Sequence, residues 1–326
     1  MVWITFFLAA AVIVFAANQL AKYGDVIALR TRLGRMFIGV LLLAGATSLP
    51  EVLTSISSIN QSTPDLAAGN LLGSNSFNMV LLAIIDILNR DQRILRKAAM
   101  KHALTGSLAV FMIALVVLLI MADIKISFGW LGLDSLILIG TYILAVWLIQ
   151  QNSSSLDKSF ELDEIPSNTP GLFTGIVGFL LASIALFIAT PIMVRSANHI
   201  AEITGLGTSF IGTTLVALVT SLPELVTTMA AIKIGANDMA IGNLFGSNMF
   251  NMFAIGLTDL FYLNGRFLAN IDPSFLLIGM FGLIMTAMAL IGNIAKLEKR
   301  ILFIEIDAFA LIMLYIASIW LLYLRT

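Results

Sequence analysis

Glu51 and Glu224 each lie deep in a stretch of apolar residues, and each closes the same five-residue string, Thr-Ser-Leu-Pro-Glu, at Thr47–Glu51 and Thr220–Glu224. A carboxylate in such a stretch is costly unless it is paired, protonated or bound to a cation. No Lys or Arg in the same stretch is near enough to pair with either. Two carboxylates brought together from two helices would balance one divalent cation, and a hard ion such as Ca2+ takes six to eight oxygen ligands. The competing reading is a protonated glutamate that ties helices together; its occurrence twice at equivalent positions favours the cation. Thr47, Ser48, Thr220 and Ser221 precede the glutamates by three or four residues, which puts them on the same helical face. Their hydroxyls are neutral oxygen donors, although Ser and Thr in membrane helices also bond back to their own backbone. Pro50 and Pro223 lack an N–H, so the carbonyls of Ala46 and Val219 are expected to lose their helical partners, either as a plain kink or as further oxygens facing an ion.

A second repeated string supplies more oxygens. Gly-Asn-Leu-x-Gly-Ser-Asn-x-Phe-Asn-Met occurs at Gly69–Met79 and Gly242–Met252. Gly69, Gly73 and Ser74, with Gly242, Gly246 and Ser247, are the small residues that close helix packing needs. Ser74 and Asn78 share one face at i, i+4, as do Ser247 and Asn251, and each pair can offer two oxygens towards the opposing glutamate. Asn75 and Asn248 point elsewhere and read as hydrogen bonders between helices. Asp86 and Asp259 align near segment ends, and Asp65 and Asp238 align at segment starts, where an acid suits the positive helix end; none is assigned to the site.

These strings belong to a longer duplication. Residues 39–88 lie over 212–261 at a constant shift of 173, with 22 of 50 positions identical. The identities fall on Gly, Asn, Ser, Thr, Pro and Glu, not only on Leu, so apolar composition does not explain them.

The elements that must carry these residues are membrane helices. The chain has 326 residues, 59% hydrophobic and 11% charged, too few charges to cover a water-facing surface. About 20 apolar residues cross a bilayer core. Ten such stretches occur, near 3–28, 36–59, 66–88, 99–121, 129–149, 171–199, 209–233, 238–261, 274–293 and 303–324. The first, Val2 to Leu20, resembles a signal peptide in length but has no basic residues before it, and reads as a membrane helix. The expected fold is all-α, ten transmembrane helices in two five-helix units at 1–150 and 171–326. Residues 151–170, with Ser153–Ser155, Asp157, Glu161, Asp163, Glu164 and two prolines, read as a cytoplasmic linker. Five spans per unit is an odd number, so the second copy is inverted, an arrangement that places a site between the repeats near mid-membrane.

Lys and Arg set the orientation. With the N-terminus outside, 14 of the 18 basic residues fall in inside loops, and Lys125, Arg195, Arg266 and Arg325 remain outside; both termini are therefore expected outside. There is no cysteine, which excludes disulfides and thiolate chemistry. His102 sits among basic residues and reads as part of a solvated loop. A net charge of -1 gives no footprint for nucleic acid. No phosphate loop and no nucleophile–base pair is present, so neither an enzyme nor an ATP-driven pump is expected and no cofactor is implied.

The paired strings resemble the alpha-repeats of the calcium/cation antiporter superfamily, and within it the chain is similar to prokaryotic sodium/calcium exchangers over its whole length. The resemblance implies Ca2+/Na+ exchange across the cell membrane by alternating access, with the long first and sixth helices sliding across a rigid core. It also implies a ligand set: Thr47, Ser48, Glu51, Ser74 and Asn78 from the first repeat, and Thr220, Ser221, Glu224, Ser247 and Asn251 from the second. The backbone carbonyls of Ala44 and Ala217 are implied as Na+ ligands. Two departures stand out. Leu218 replaces the glycine found at Gly45. Some exchangers carry aspartate where this chain has Asn78 or Asn251, so only two acids serve the site here. A proton-coupled divalent exchanger is the alternative; that branch usually has a further Glu after the Gly-Asn pair, where Leu71 and Leu244 stand. A cation channel is a third reading.

Overall fold

The computed structural model describes residues 2–31, 33, 35–60, 64–88, 99–156, 169–204, 218–295, 300–301 and 304–323. Ten helical rods follow one another in the order expected. They are α1 (Val2–Thr31), a broken α2 (35–60), α3 (Pro64–Leu88), α4 (Ala99–Ala122), α5 (Leu133–Leu156), α6 (Leu172–Thr204), α7 (Leu222–Lys233), α8 (Asn237–Thr258), α9 (Ser274–Ala295) and α10 (Ile306–Tyr323). Seven of them are long and apolar enough to cross a membrane by length and composition, with a shorter apolar helix at Ile306–Leu322. The first part of the seventh span, 209–217, with Ala217 and Gly212, lies outside the described residues. Helix α5 runs to Leu156, six residues into the segment read as the linker.

The duplication reaches further than the sequence identities do. Each of the following pairs is offset by the same 173 residues. Helices α5 and α10 begin at Leu133 and Ile306. Two small antiparallel hairpins, absent from the sequence reading, obey it too: β1 (Ser127–Phe128) with β2 (Leu131–Gly132), and β3 (Arg300–Ile301) with β4 (Ile304–Glu305). Backbone geometry is thus kept where side chains have diverged, because any apolar residue suits a lipid-facing position whereas the packing of the rods must be preserved.

Packing follows composition. Exposed Trp3, Phe7, Phe15, Phe173, Ile188 and Trp320 form the apolar outside that a bilayer solvates. The polar interior centres on α3 and α8, the most buried rods, each carrying a complete amide-rich string. Helix α1 packs most extensively on α6, and also on α7. Gly178 permits the first contact, since a Cβ there would lie 2.5 Å from the Tyr23 ring. Tyr142 of α5 stacks on Phe253 of α8 with ring centroids 4.5 Å apart, and Phe250 meets it edge-on at 5.9 Å.

Asp259 caps one end of the bundle. It is fully buried and accepts hydrogen bonds from Gly132 N at 2.7 Å and Phe267 N at 2.6 Å, tying α8 to the β1–β2 hairpin and the loop before α9. Nearby, Arg266 bridges Asp123 at 2.5 Å and Asp134 at 3.3 Å and donates to the carbonyl of Ile124. Asp86, the repeat counterpart of Asp259, has its carboxylate within 4.8 Å of Glu305 and Asp307. Asp259→Ala would leave two buried N–H groups without an acceptor, each costing about 1–3 kcal/mol; thermal unfolding in detergent should show a total loss of about 3 kcal/mol.

His102 corrects an expectation. It is completely buried, on the first turns of α4 rather than in a loop, with Nε2 3.5 Å from Asp238 Oδ1 at the start of α8. The basic residues around it in sequence do not predict its surroundings, because His102 lies within α4 and helical geometry turns it inward. Asp65 likewise joins segments: it accepts from Asp272 N at 2.9 Å.

Candidate functional site

The second rod is broken, not merely kinked. It runs as helix over Arg35–Ile38, a π-helical turn over Gly39–Leu43, helix again over Ala44–Thr47, and a last helix over Leu49–Asn60. Ser48 leaves helical geometry at φ -87°, ψ 5°, and Ser221 repeats the break at φ -86°, ψ 4°. Pro50 and Pro223 then fall in the first turn of the following helix, where a missing N–H removes nothing the helix would have used. Glu51 and Glu224 follow at once, each in the first turn of a half-helix, so the positive end of the helix dipole faces each carboxylate. The π turn reflects a close approach. A Cβ on Gly39 would sit 2.4 Å from Met239 O, and one on Gly246 would sit 2.6 Å from Val40 O.

The two breaks meet. Ser48 Oγ donates to Glu224 Oε1 at 2.9 Å, and Ser221 Oγ donates to Glu51 Oε1 at 3.2 Å. Each serine thus serves the glutamate of the other repeat. Ser74 Oγ also reaches Glu51 Oε1, at 3.5 Å. Thr47 and Thr220 bond across the repeats as well, to Asn243 Oδ1 and Asn70 Oδ1, both at 3.3 Å. Thr47 Oγ1 also lies 3.0 Å from Leu43 O and 3.4 Å from Ala44 O, and Ala44 O accepts Ser48 N at 3.0 Å. Thr47, Ser48, Glu51, Ser74, Asn78, Thr220, Ser221, Glu224, Ser247 and Asn251 are all buried.

Within this buried region several oxygens have no hydrogen-bond partner among the described residues: Glu51 Oε2, Glu224 Oε2, Asn78 Oδ1, Asn251 Oδ1 and Ser247 Oγ. Orphaned buried acceptors are rare and costly. These oxygens come from the two facing amide strings and the two half-helix starts, and oxygen is the donor type that hard cations select; the first amide string also leaves Asn75 Nδ2 and Ser76 Oγ unpartnered among the described residues.

The sequence reading assigns no role to Asn70 and Asn243, which help hold this arrangement. Asn70 Nδ2 donates to Glu51 O at 3.1 Å, and Asn243 Nδ2 to Thr228 Oγ1 at 3.0 Å. Asn75 and Asn248 do bond between helices, accepting from Asn251 Nδ2 and Asn78 Nδ2, each at 3.0 Å. The signal was present, three amides in each of two apolar helices, but their partners are set by the crossing of α3 and α8.

The cross-repeat bonds are directly testable. Hydrogen bonds to a charged group contribute about 1.5–3 kcal/mol. A double-mutant cycle of Ser48→Ala with Glu224→Gln, read by thermal unfolding, should show a coupling of about 1–2 kcal/mol; additivity would remove the contact.

Two five-helix repeats closed around paired buried carboxylates define a membrane transporter of cations, not an enzyme. The profile of the Sodium/calcium exchanger protein family matches residues 1–150 and 174–324. The chain belongs to that family. It is 29% identical over 259 residues to the inner membrane protein YrbG of Escherichia coli, covering 76% of each chain. It is 28% identical over 283 residues to the sodium/calcium exchanger MaX1 of Methanosarcina acetivorans, covering 77% of this chain and 80% of that one. To the putative antiporter CaxA of Alkalimonas amylolytica it is 27% identical, with 74% and 75% covered. The fold matches the solved sodium-calcium exchanger NCX_Mj, soaked with 10 mM Na+ and zero Ca2+, with a TM-score of 0.70 at 23% identity, covering 98% of this chain and 99% of that one.

Proposed function

We propose that the protein exchanges Ca2+ for Na+ across the cell membrane by alternating access. The observation that carries this reading is the reciprocal pairing of Ser48 with Glu224 and Ser221 with Glu51, which brings two carboxylates from opposite repeats to one buried place while each keeps an unpartnered oxygen. Two negative charges balance one Ca2+, and the free amide oxygens of Asn78 and Asn251 and the hydroxyl of Ser247 extend its shell. Na+ takes the same place by using Thr47, Ser48, Ser74, Thr220, Ser221 and Ser247 together with the backbone carbonyls of Ala44 and Ala217. Competition for shared oxygens makes the binding of the two ions mutually exclusive, which is the basis of exchange. The printed name of MaX1, a sodium/calcium exchanger, supports Na+ as the counter-ion.

The α1–α6 pair supports the moving part. These two long rods pack chiefly on one another, at the periphery of the polar centre, and their sliding across α2 and α7 would open the site to one side at a time. The two units, 1–150 and 171–326, then act as inverted halves joined by a cytoplasmic linker at 151–170, with both termini outside.

The test is flux. Liposomes loaded with Na+ are diluted into Na+-free buffer containing labelled Ca2+, with a protonophore present. Uptake that requires internal Na+ is the expected result. Uptake that ignores Na+ but follows an imposed pH gradient would transfer the reading to proton coupling, and uptake needing neither ion inside would indicate a channel.

A further inference from the structure

Asn78 and Asn251 differ from carboxylates in a way that matters to a cation: only one of their two terminal atoms carries lone pairs. Turned the wrong way, the amide presents N–H bonds and repels the ion. In this protein the sense of one amide is dictated by hydrogen-bond polarity. Asn78 Nδ2 donates to Asn248 Oδ1 at 3.0 Å, which leaves Asn78 Oδ1 free in the buried interior. Asn248 is fixed in turn. Its Nδ2 donates to Thr286 Oγ1 at 3.2 Å and to the carbonyl of Asn75 at 3.4 Å. The Thr286 hydroxyl proton is committed to Gly282 O at 2.7 Å, so Thr286 offers Asn248 only lone pairs. Acceptors on that side of Asn248 demand nitrogen there; its oxygen must face Asn78, and Asn78 must answer with nitrogen.

The other half is not closed in this way. Asn251 Nδ2 donates to Asn75 Oδ1 at 3.0 Å, but Asn75 Nδ2 has no partner among the described residues. The residue 173 positions before Thr286 is Ile113, buried and without a hydroxyl. Among the described residues nothing comparable to Thr286 therefore sets the sense of Asn75.

We propose that Thr286 and Asn248 are positioning residues that lock the amide oxygen of Asn78 onto the transported cation, whereas Asn251 is held from one side only and is the softer ligand. The inference rests on the assignment of the cation site given above.

Thr286→Val keeps the shape of the side chain and removes the acceptor. In the liposome assay it should raise the KM for Ca2+ about fivefold, the scale of one lost orienting hydrogen bond, with the maximal rate little changed. Thr286→Ser should restore the wild-type KM. Asn248→Ser, which removes the Oδ1 acceptor facing Asn78, should raise KM at least as much and stands in if the valine variant does not fold. In an Asn78→Asp background, where an oxygen faces the ion in either sense, Thr286→Val should produce no rise. A wild-type KM in both Thr286→Val and Asn248→Ser, or an equal rise in both backgrounds, would overturn the lock. Glu51→Gln run alongside separates the two readings: Ca2+ uptake surviving that change means the site assignment has failed, whereas its loss beside a wild-type KM for Thr286→Val means only the lock has failed.

Discussion

Glu51→Gln or Glu224→Gln should each reduce Ca2+ affinity by about 100- to 4,000-fold and abolish measurable exchange. Glutamine keeps the size of the side chain and one oxygen, so the change isolates charge. Removing one member of a buried charge assembly costs about 3–5 kcal/mol, and each 1.4 kcal/mol is about tenfold in affinity. Both variants should be equally affected, since the two glutamates hold equivalent places at the two half-helix starts and each accepts from the serine of the opposite repeat. The variants should still fold. Two neighbouring buried carboxylates repel one another without a cation between them, so replacing one relieves the ion-free protein. Thermal unfolding distinguishes loss of the site from loss of the fold. Wild-type protein at Ca2+ about 100 times its Kd gains about 2.7 kcal/mol of stability, and both glutamine variants should lose that gain while their ion-free melting temperature holds or rises. A variant that keeps the Ca2+-dependent shift would remove its glutamate from the site.

The second large effect is structural. Gly39→Ala should destabilise the protein by about 3 kcal/mol, at the upper end of the range for overpacking. The added methyl would meet the backbone of Met239, with O at 2.4 Å and Cα at 2.9 Å, and a backbone cannot swing aside as a side-chain tip can. Relief requires α2 and α8 to separate, and that contact also holds Gly242 and Gly246 against Met36 and Val40. Gly140→Ala is the control. It adds the same methyl in α5 where nothing lies within 4 Å, and it should stabilise by about 0.5–1 kcal/mol through helix propensity. Melting temperatures that fall alike for both would show that the α2–α8 approach is not the cause. Because the π turn at Gly39–Leu43 leads directly into Ala44–Thr47, Gly39→Ala should also weaken Ca2+ binding, which Gly140→Ala should not.

The ten rods, their order and the paired polar strings could be read from residue types alone. A bilayer leaves few solutions: each apolar stretch of sufficient length becomes a helix because its backbone must satisfy its own hydrogen bonds. Duplication then pairs the halves, and an unpaired acid in an apolar helix singles out Glu51 and Glu224. The proline expectation held in part. Pro50 and Pro223 do mark irregular backbone, but it lies at Ser48 and Ser221, before the prolines, because proline suits the first turn of a new helix better than the interior of an old one. His102 went the other way: its neighbours in sequence are basic, yet it is sealed against Asp238.

What residue types determined, then, is which groups are too polar for their surroundings and must find one another. Which atom meets which was decided by tertiary structure. Ser48 serves Glu224 rather than its own Glu51, and Asn248 rather than any residue of α3 orients Asn78, because the glycine contacts between rods allow the two repeats to cross closely. The physical reason is range. Hydrophobicity and helical periodicity act over a turn or two of chain and are visible in composition, whereas a hydrogen bond is won or lost over less than an ångström between residues some 170 positions apart, and only the packed rods set that distance.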